Sequence, residues 1–185
     1  MELNNKGIKM KKRTLKKYLK DHKESVLHLG CGRTNLEKYF GLDIEGYDGV
    51  DMVADAEEVL PIPDNTFDHA YAQDFLEHLV PQKSIHIMEE IYRVLKPGGK
   101  FQFTVPSTDG NNIAAFQDPT HYSFWNEMKF RYFLGEESGI SFRPIYDIKC
   151  HFKVLKLETY FNEWNITYVR GVLQKPELTK QGELS

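Results

Sequence analysis

The chain has 185 residues, 41% of them hydrophobic and 13% aromatic, with a formal net charge of −3; this is the make-up of one globular domain and excludes a disordered chain. Domains that neutralise phosphates are strongly basic, so nucleic acid is not expected as the main partner, and no apolar run approaches the ~18 residues of a membrane helix. Cys31 and Cys150 are too few for a disulfide framework and neither lies in a CxxC pair, so no metal or redox site is read from them; with no apolar leader, the expected location is cytoplasmic.

The first element is a charge run, KGIKMKKRTLKKYLKDHK, from Lys6 to Lys23. It reads as a solvated lead-in over residues 1–24 holding a short amphipathic helix, with Ile8, Leu15, Tyr18 and Leu19 turned inward. The alternative is steering of an anionic substrate or a phosphate-rich partner. Residues 25–176 then form the main domain, and the polar stretch 177–185 is expected to be a flexible tail.

SVLHLG (Ser25–Gly30) reads as a buried strand, followed by the short apolar runs YFGLDI (Tyr39–Ile44) and VDMVAD (Val50–Asp55), then by FDHAYAQD (Phe67–Asp74). Each of the first three runs ends near a glycine or an acid, as parallel strands of an α/β sheet do. In PQKSIHIMEEIYRVLKPGG the residues Ile85, Met88, Ile91, Tyr92 and Leu95 recur at helical spacing, with Pro81 suited to the start and Pro97-Gly98-Gly99 to the stop. KFQFTVPS (Lys100–Ser107) alternates as a fifth strand. The following TDGNNIAAFQDPTHYSFW is too long for a routine connection and has the length of a binding loop. A helix is expected over about Asn126 to Leu134. FKVLKLETYF (Phe152–Phe161) and NITYVRGVLQK (Asn165–Lys175) are separated by a hairpin-sized gap and should pair antiparallel. Together these predict an α/β fold: a Rossmann-like, mostly parallel sheet of seven strands with a reversed last strand. EGYDG is too short for a helical crossover, so some crossover helices should be truncated.

The chemistry sits at the strand ends. In HLGCGRTN, Gly30 and Gly32 let backbone approach a ligand that a Cβ would block. A dinucleotide fingerprint would need a third glycine, and Arg33, Thr34 and Asn35 follow instead. Asp43 ends the second run, where a carboxylate can accept both hydrogen bonds of a ribose diol. Asp55 ends the third, placed to accept from an exocyclic amine, with Ala56 offering a small side chain and a backbone N–H. One acid alone is a surface charge or a cap; three successive strand ends carrying glycines, Asp and Asp form a pattern.

Taken in order, LGCG, DAEEVLPIPDNTFD, LEHL and VLKPGG resemble the class I S-adenosylmethionine-dependent methyltransferases. Within them the chain is similar to a compact bacterial branch with a very short segment between the glycine loop and the second-strand acid. The resemblance spans Val26 to Ser107. It implies that Gly30, Cys31 and Gly32 lie beside the methionine part of S-adenosyl-L-methionine. It implies also that Asp43, with Ile44 next to it, holds the ribose, and that Asp55 with Ala56 holds the adenine. Gln73 and Asp74 would line the methyl-donor side, Phe75 would flank the sulfonium, and His78 of LEHL would support the same site structurally. Two positions depart from the family: His28 stands where an acid is usual, and Thr34 replaces a glycine. His28 is therefore expected to be neutral, or to be turned away as a buried structural histidine, because a cation would repel the cofactor's ammonium.

Methyl transfer from a sulfonium is an in-line displacement, in which a hydroxyl acceptor must also lose a proton. FQDPTHYSFW follows the fifth strand, where the fold's substrate loops lie. His121 is the expected base, and Asp118 would orient its ring or accept from the substrate. Tyr122, Phe124 and Trp125 are expected to wall the acceptor site. A helix-entering turn with His121 packed beneath it is the structural alternative. No Asn/Asp-Pro-Pro-aromatic run follows the fourth strand and no Pro-Cys pair occurs, which argues against DNA-base methylation. The expectation is an O-methyltransferase (EC 2.1.1.-) for a small or peptide-borne polar acceptor: a sugar or natural-product hydroxyl, or a carboxylate. Alternatives are a non-catalytic cofactor-binding or scaffold subunit and, more weakly, a nucleotide-linked dehydrogenase. The sequence leaves the oligomeric state open.

Overall fold

A computed structural model describes residues 13–34, 38–110, 114–135 and 143–177. Seven strands form one sheet in the order β3-β2-β1-β4-β5-β7-β6. They are β1 (Val26–Leu29), β2 (Phe40–Asp43), β3 (Met52–Val53), β4 (Phe67–Gln73), β5 (Leu95–Pro106), β6 (Lys153–Phe161) and β7 (Thr167–Gln174). The first five run parallel, and β7 pairs antiparallel with both β5 and β6. The expected Rossmann-like sheet with its reversed last strand is therefore present.

Strand alternation sorts side chains onto two faces. Leu27, Leu29, Ala70, Ala72, Phe101, Phe103, Val105, Val169 and Leu173 point into a single core. Helix α2 (Ser84–Val94) closes that core with Ile87, Met88, Ile91 and Val94, all fully buried. From α3 (Glu127–Arg131), Phe130 stacks on Phe103 at 4.0 Å. α1 (Leu15–Asp21), inside the expected lead-in, seats Tyr18 in the same core, where the Tyr18 hydroxyl donates to the Lys38 carbonyl and accepts from Val26 N, each at 2.9 Å. A one-turn helix, α4 (Arg143–Tyr146), lies on that side too, where Tyr146 meets Tyr132. The opposite face carries His28, His69, Tyr71, Gln102, Arg170 and Val172, and no described helix covers it. Parallel sheets are normally sheathed on both faces. Here the β1–β2 and β2–β3 connections are too short to supply the second layer, as expected from EGYDG.

Some element bounds differ from the sequence expectation. The third run forms only two strand residues, Met52 and Val53, with Ala54 N adding one last parallel ladder bond to the Asp43 carbonyl. Pro81 opens a 3₁₀ turn (Pro81–Lys83), and the α-helix proper begins at Ser84. Pro97-Gly98-Gly99 lies within β5 rather than between elements. Gly98, at φ +78°, bulges the strand there, and Gly98 and Gly99 exchange backbone hydrogen bonds with Lys175. α3 is shorter than the nine residues expected; Asn126 caps it by accepting from Lys129 N at 2.9 Å. Ile8, Asn35 and most of the tail lie outside the described residues.

Candidate active site

The C-terminal ends of β1, β2, β3 and β4 meet around a cleft of about 520 Å³, within the usual size of small-ligand sites. Gly30 forms its floor at φ +59°, and a Cβ there would sit 2.2 Å from the Phe75 ring. Phe75 thus fills the space that the missing side chain leaves. Asp43 fixes the loop that follows: its Oδ2 accepts from Gly32 N at 2.7 Å and its Oδ1 from Glu45 N at 3.0 Å. A carboxylate has about four acceptor positions, so two remain for a diol. Asp55 Oδ1 accepts from Glu57 N at 2.8 Å, leaving Oδ2 for a ligand amine. Ile44 stands exposed at the rim and Ala56 lies buried in the wall. Small apolar contacts, a free carboxylate edge and a glycine floor suit an adenosyl group, so the residues present fit the expected cofactor.

A second cleft, of about 510 Å³, opens where β4 and β5 end, and it shares Asp74 and His78 with the first. Asp74 sits at φ +46°, a conformation that non-glycine residues adopt at a cost and that concentrates at functional sites. Burial pushes its carboxyl above the usual range. Glu77 lies deeper still, 1% exposed, with neither carboxylate oxygen hydrogen-bonded. Burial, reinforced by Asp74 and Asp118, pushes its pKa up to about 8. His121 Nδ1 is 3.0 Å from the Ala115 carbonyl and His78 Nδ1 is 3.1 Å from that of Thr120. Carbonyls only accept, so each Nδ1 carries a proton, and in the neutral tautomer this leaves Nε2 as the acceptor or ligand atom. The two rings meet edge to face with centroids 5.0 Å apart.

The loop carrying His121 is tied down rather than loose. Tyr122 N and Ser123 N both donate to the Glu77 carbonyl, and Ser123 Oγ donates to that of Leu76. Asp118 is exposed, accepts twice from Thr120, and holds Oδ2 3.9 Å from His121 Nε2. Tyr122, also exposed, reaches the rim of the first cleft. Phe124 packs on Phe116 at 4.6 Å, outside both linings.

Other expected site residues lie elsewhere. Trp125 is 1% exposed, stacked near Phe130 and donating Nε1–H to Ser123 Oγ, so it belongs to the core. His28 points to the uncovered sheet face between Tyr39 and Tyr71, which matches the buried structural alternative. Cys31 is buried in the glycine loop, and burial with the nearby Asp43 and Asp51 carboxylates drives its thiol up to about 12. Gln73 accepts from the Tyr71 hydroxyl at 2.6 Å beside the cleft rather than in it. Sequence reasoning missed Glu57, Leu79 and Val80 in the first lining and Tyr168 and Glu77 in the second. Only Glu77 left a signal, an acid in the otherwise apolar-and-histidine run FLEHL.

Residues 27–103 match the family model described as a methyltransferase domain. No curated protein matches the chain. Among solved structures, a SAM-dependent methyltransferase from Archaeoglobus fulgidus is 18% identical, with 82% of this chain and 86% of that one covered at a TM-score of 0.60. The 1,6-didemethyltoxoflavin-N1-methyltransferase of Burkholderia thailandensis, solved with S-adenosylhomocysteine, is 17% identical over 81% and 70% at 0.57. The [4+2]-cyclase SpnF is 19% identical over 83% and 76% at 0.56. The fold is that of the class I S-adenosylmethionine-dependent methyltransferases, and its first five strands carry the methyltransferase-domain signature. A cyclase on the same fold shows why the activity has to be argued from the site.

Proposed function

We propose that this protein is an S-adenosylmethionine-dependent methyltransferase that methylates an oxygen of a small or peptide-borne polar acceptor. The observation that carries the reading is the pair of clefts joined at Asp74 and His78, one fitting an adenosyl group and the other lined by ionisable side chains. When bound, the cofactor supplies an electrophilic methyl group. The chain's own part is to orient and to handle a proton. Gly30, Asp43, Asp55 and Ala56 fix the donor, Phe75 shields its methyl end from water, and the second cleft presents the acceptor in line with it. His121 is the residue through which a hydroxyl loses its proton, since its ring lines that cleft with Nδ1 engaged by the Ala115 carbonyl and Nε2 left for the acceptor.

Calorimetry with S-adenosylhomocysteine tests the donor site: one molecule bound per chain is expected, and no heat at high protein concentration would remove the assignment. Asp43→Ala should weaken that binding about 10–10²-fold, the loss of charge-assisted hydrogen bonds to the diol. His121→Ala should leave it nearly unchanged while lowering turnover ~10²–10⁴-fold with any accepted substrate.

A further inference from the structure

Glu77, His78 and His121 each place one potential ligand atom within 4.8 Å of the other two. No spacing rule announces this set: Glu77 and His78 are neighbours in LEHL and His121 lies on a separate loop. Two features separate it from an ordinary polar cluster. The Glu77 carboxylate is 1% exposed and neither oxygen has a hydrogen-bond partner, although it lines the cleft with both histidines. Buried carboxylates are otherwise neutralised or paired. Each histidine also donates Nδ1–H to a backbone carbonyl, at 3.1 Å for His78 and 3.0 Å for His121. That is the outer-shell bond that holds a ligating imidazole in its tautomer and orientation.

We propose that Glu77, His78 and His121 form a binding site for a divalent first-row transition ion of the zinc or manganese type, which coordinates the acceptor's oxygen. Two imidazoles with one carboxylate favour such ions over magnesium or calcium, and three protein ligands leave positions open for substrate. Three ligands at ~2.1 Å from one ion in tetrahedral geometry lie ~3.4 Å from one another, so the set draws in by up to about an ångström or slightly more on binding, within reach of side-chain rotation. The proposal rests on the methyltransferase reading and changes the task of His121: it acts on the hydroxyl through the ion. The coordinated O–H bond breaks and its proton passes to Asp118 at the mouth of the cleft. The oxygen's electron pair forms the new O–C bond, and the C–S bond breaks with its pair left on the thioether sulfur.

The test uses the full chain stripped with a chelator. Titration with Co²⁺ alone should give one ion per chain with a visible ligand-field absorption, displaced by Zn²⁺. Glu77→Gln and His121→Ala should each weaken Co²⁺ by ~10²-fold or more, while the exposed Glu58→Gln leaves it unchanged. Absence of the absorption in the native chain, or equal Co²⁺ affinity in all variants, overturns the proposal. Should Glu77→Gln fail to fold, His121→Ala decides alone, its folding verified by S-adenosylhomocysteine binding. Calorimetry with S-adenosylhomocysteine on the stripped native chain keeps the two readings apart. Cofactor binding without a cobalt site rejects the ion only, and a cobalt site without cofactor binding rejects the methyltransferase.

Discussion

Gly30 and Phe75 occupy one volume between them. Gly30→Ala places a methyl group 2.2 Å from the Phe75 ring at a φ that disfavours any Cβ, so it should destabilise the chain by about 1–3 kcal/mol and weaken S-adenosylhomocysteine. Phe75→Ala opens the space but leaves the φ strain, so the double variant should recover only part of the loss. Urea unfolding of the four proteins measures the coupling. Lys129 tells a different story. Its ammonium lies 3.8 Å from the Trp125 ring centre, and burial lowers its pKa to about 8. A lysine whose folded pKa lies below its unfolded value of ~10.4 costs stability at neutral pH, and that cost fades as pH rises between the two. Lys129→Met should therefore stabilise the chain by about 1 kcal/mol at pH 7, a figure reduced for partial exposure and for the lost contacts to Trp125 and Ser84. The gain should shrink as denaturation is repeated towards pH 10. At this scale the glycines and the acids at strand ends could be read directly, because backbone approach and diol binding each demand one residue type. Glu77 could not, because its significance is that nothing bonds it.

Elements are tied together by a few polar residues. Arg93 of α2 donates to the Leu60 and Ile62 carbonyls, to Asp64 and to both oxygens of Glu90, fastening the irregular β3–β4 connection to the helix. Burial alone would raise the Glu90 pKa, but the Arg93 guanidinium and the Leu60 N–H outweigh it and hold the carboxyl below the glutamate range. That stabilisation is complete above the unfolded pKa near ~4.3 and is lost as pH falls through the lower folded value. Glu90→Gln should cost about 1–3 kcal/mol at pH 7, and its difference from the native chain should disappear in acid unfolding curves below that window. Lys175, at the end of β7, donates Nζ–H to the Tyr92 and Leu95 carbonyls and to Asn65, satisfying the C-terminal end of α2. Periodicity located α2 and the final hairpin well. It missed that PGG lies inside β5, because the bonds from Gly98 and Gly99 go to Lys175, more than seventy residues away. The loop after β5 was legible only as unusually long; its anchorage on the Glu77 carbonyl is tertiary.

Among the described residues, one face of the sheet carries the core and the other does not. Phe103→Ala should cost about 3–5 kcal/mol in urea unfolding, whereas Gln102→Ala, one residue away on the other face, should stay within about 0.5 kcal/mol. The closing antiparallel hairpin and the truncated crossovers followed from the lengths of the connecting segments. The bare face showed only as alternation, since a half-polar strand looks the same whether water or a helix lies over its polar side.

That one-sidedness leaves two kinds of position interleaved along β4, β5 and β7. Phe101, Val105 and Val169 are constrained by neighbours in three dimensions; His69, Gln102 and Arg170 answer chiefly to water. Substitution at the second set leaves the core undisturbed, so these strands can vary at alternate positions with both clefts intact, except at their cleft ends, where Pro106 and Tyr168 line the second cleft.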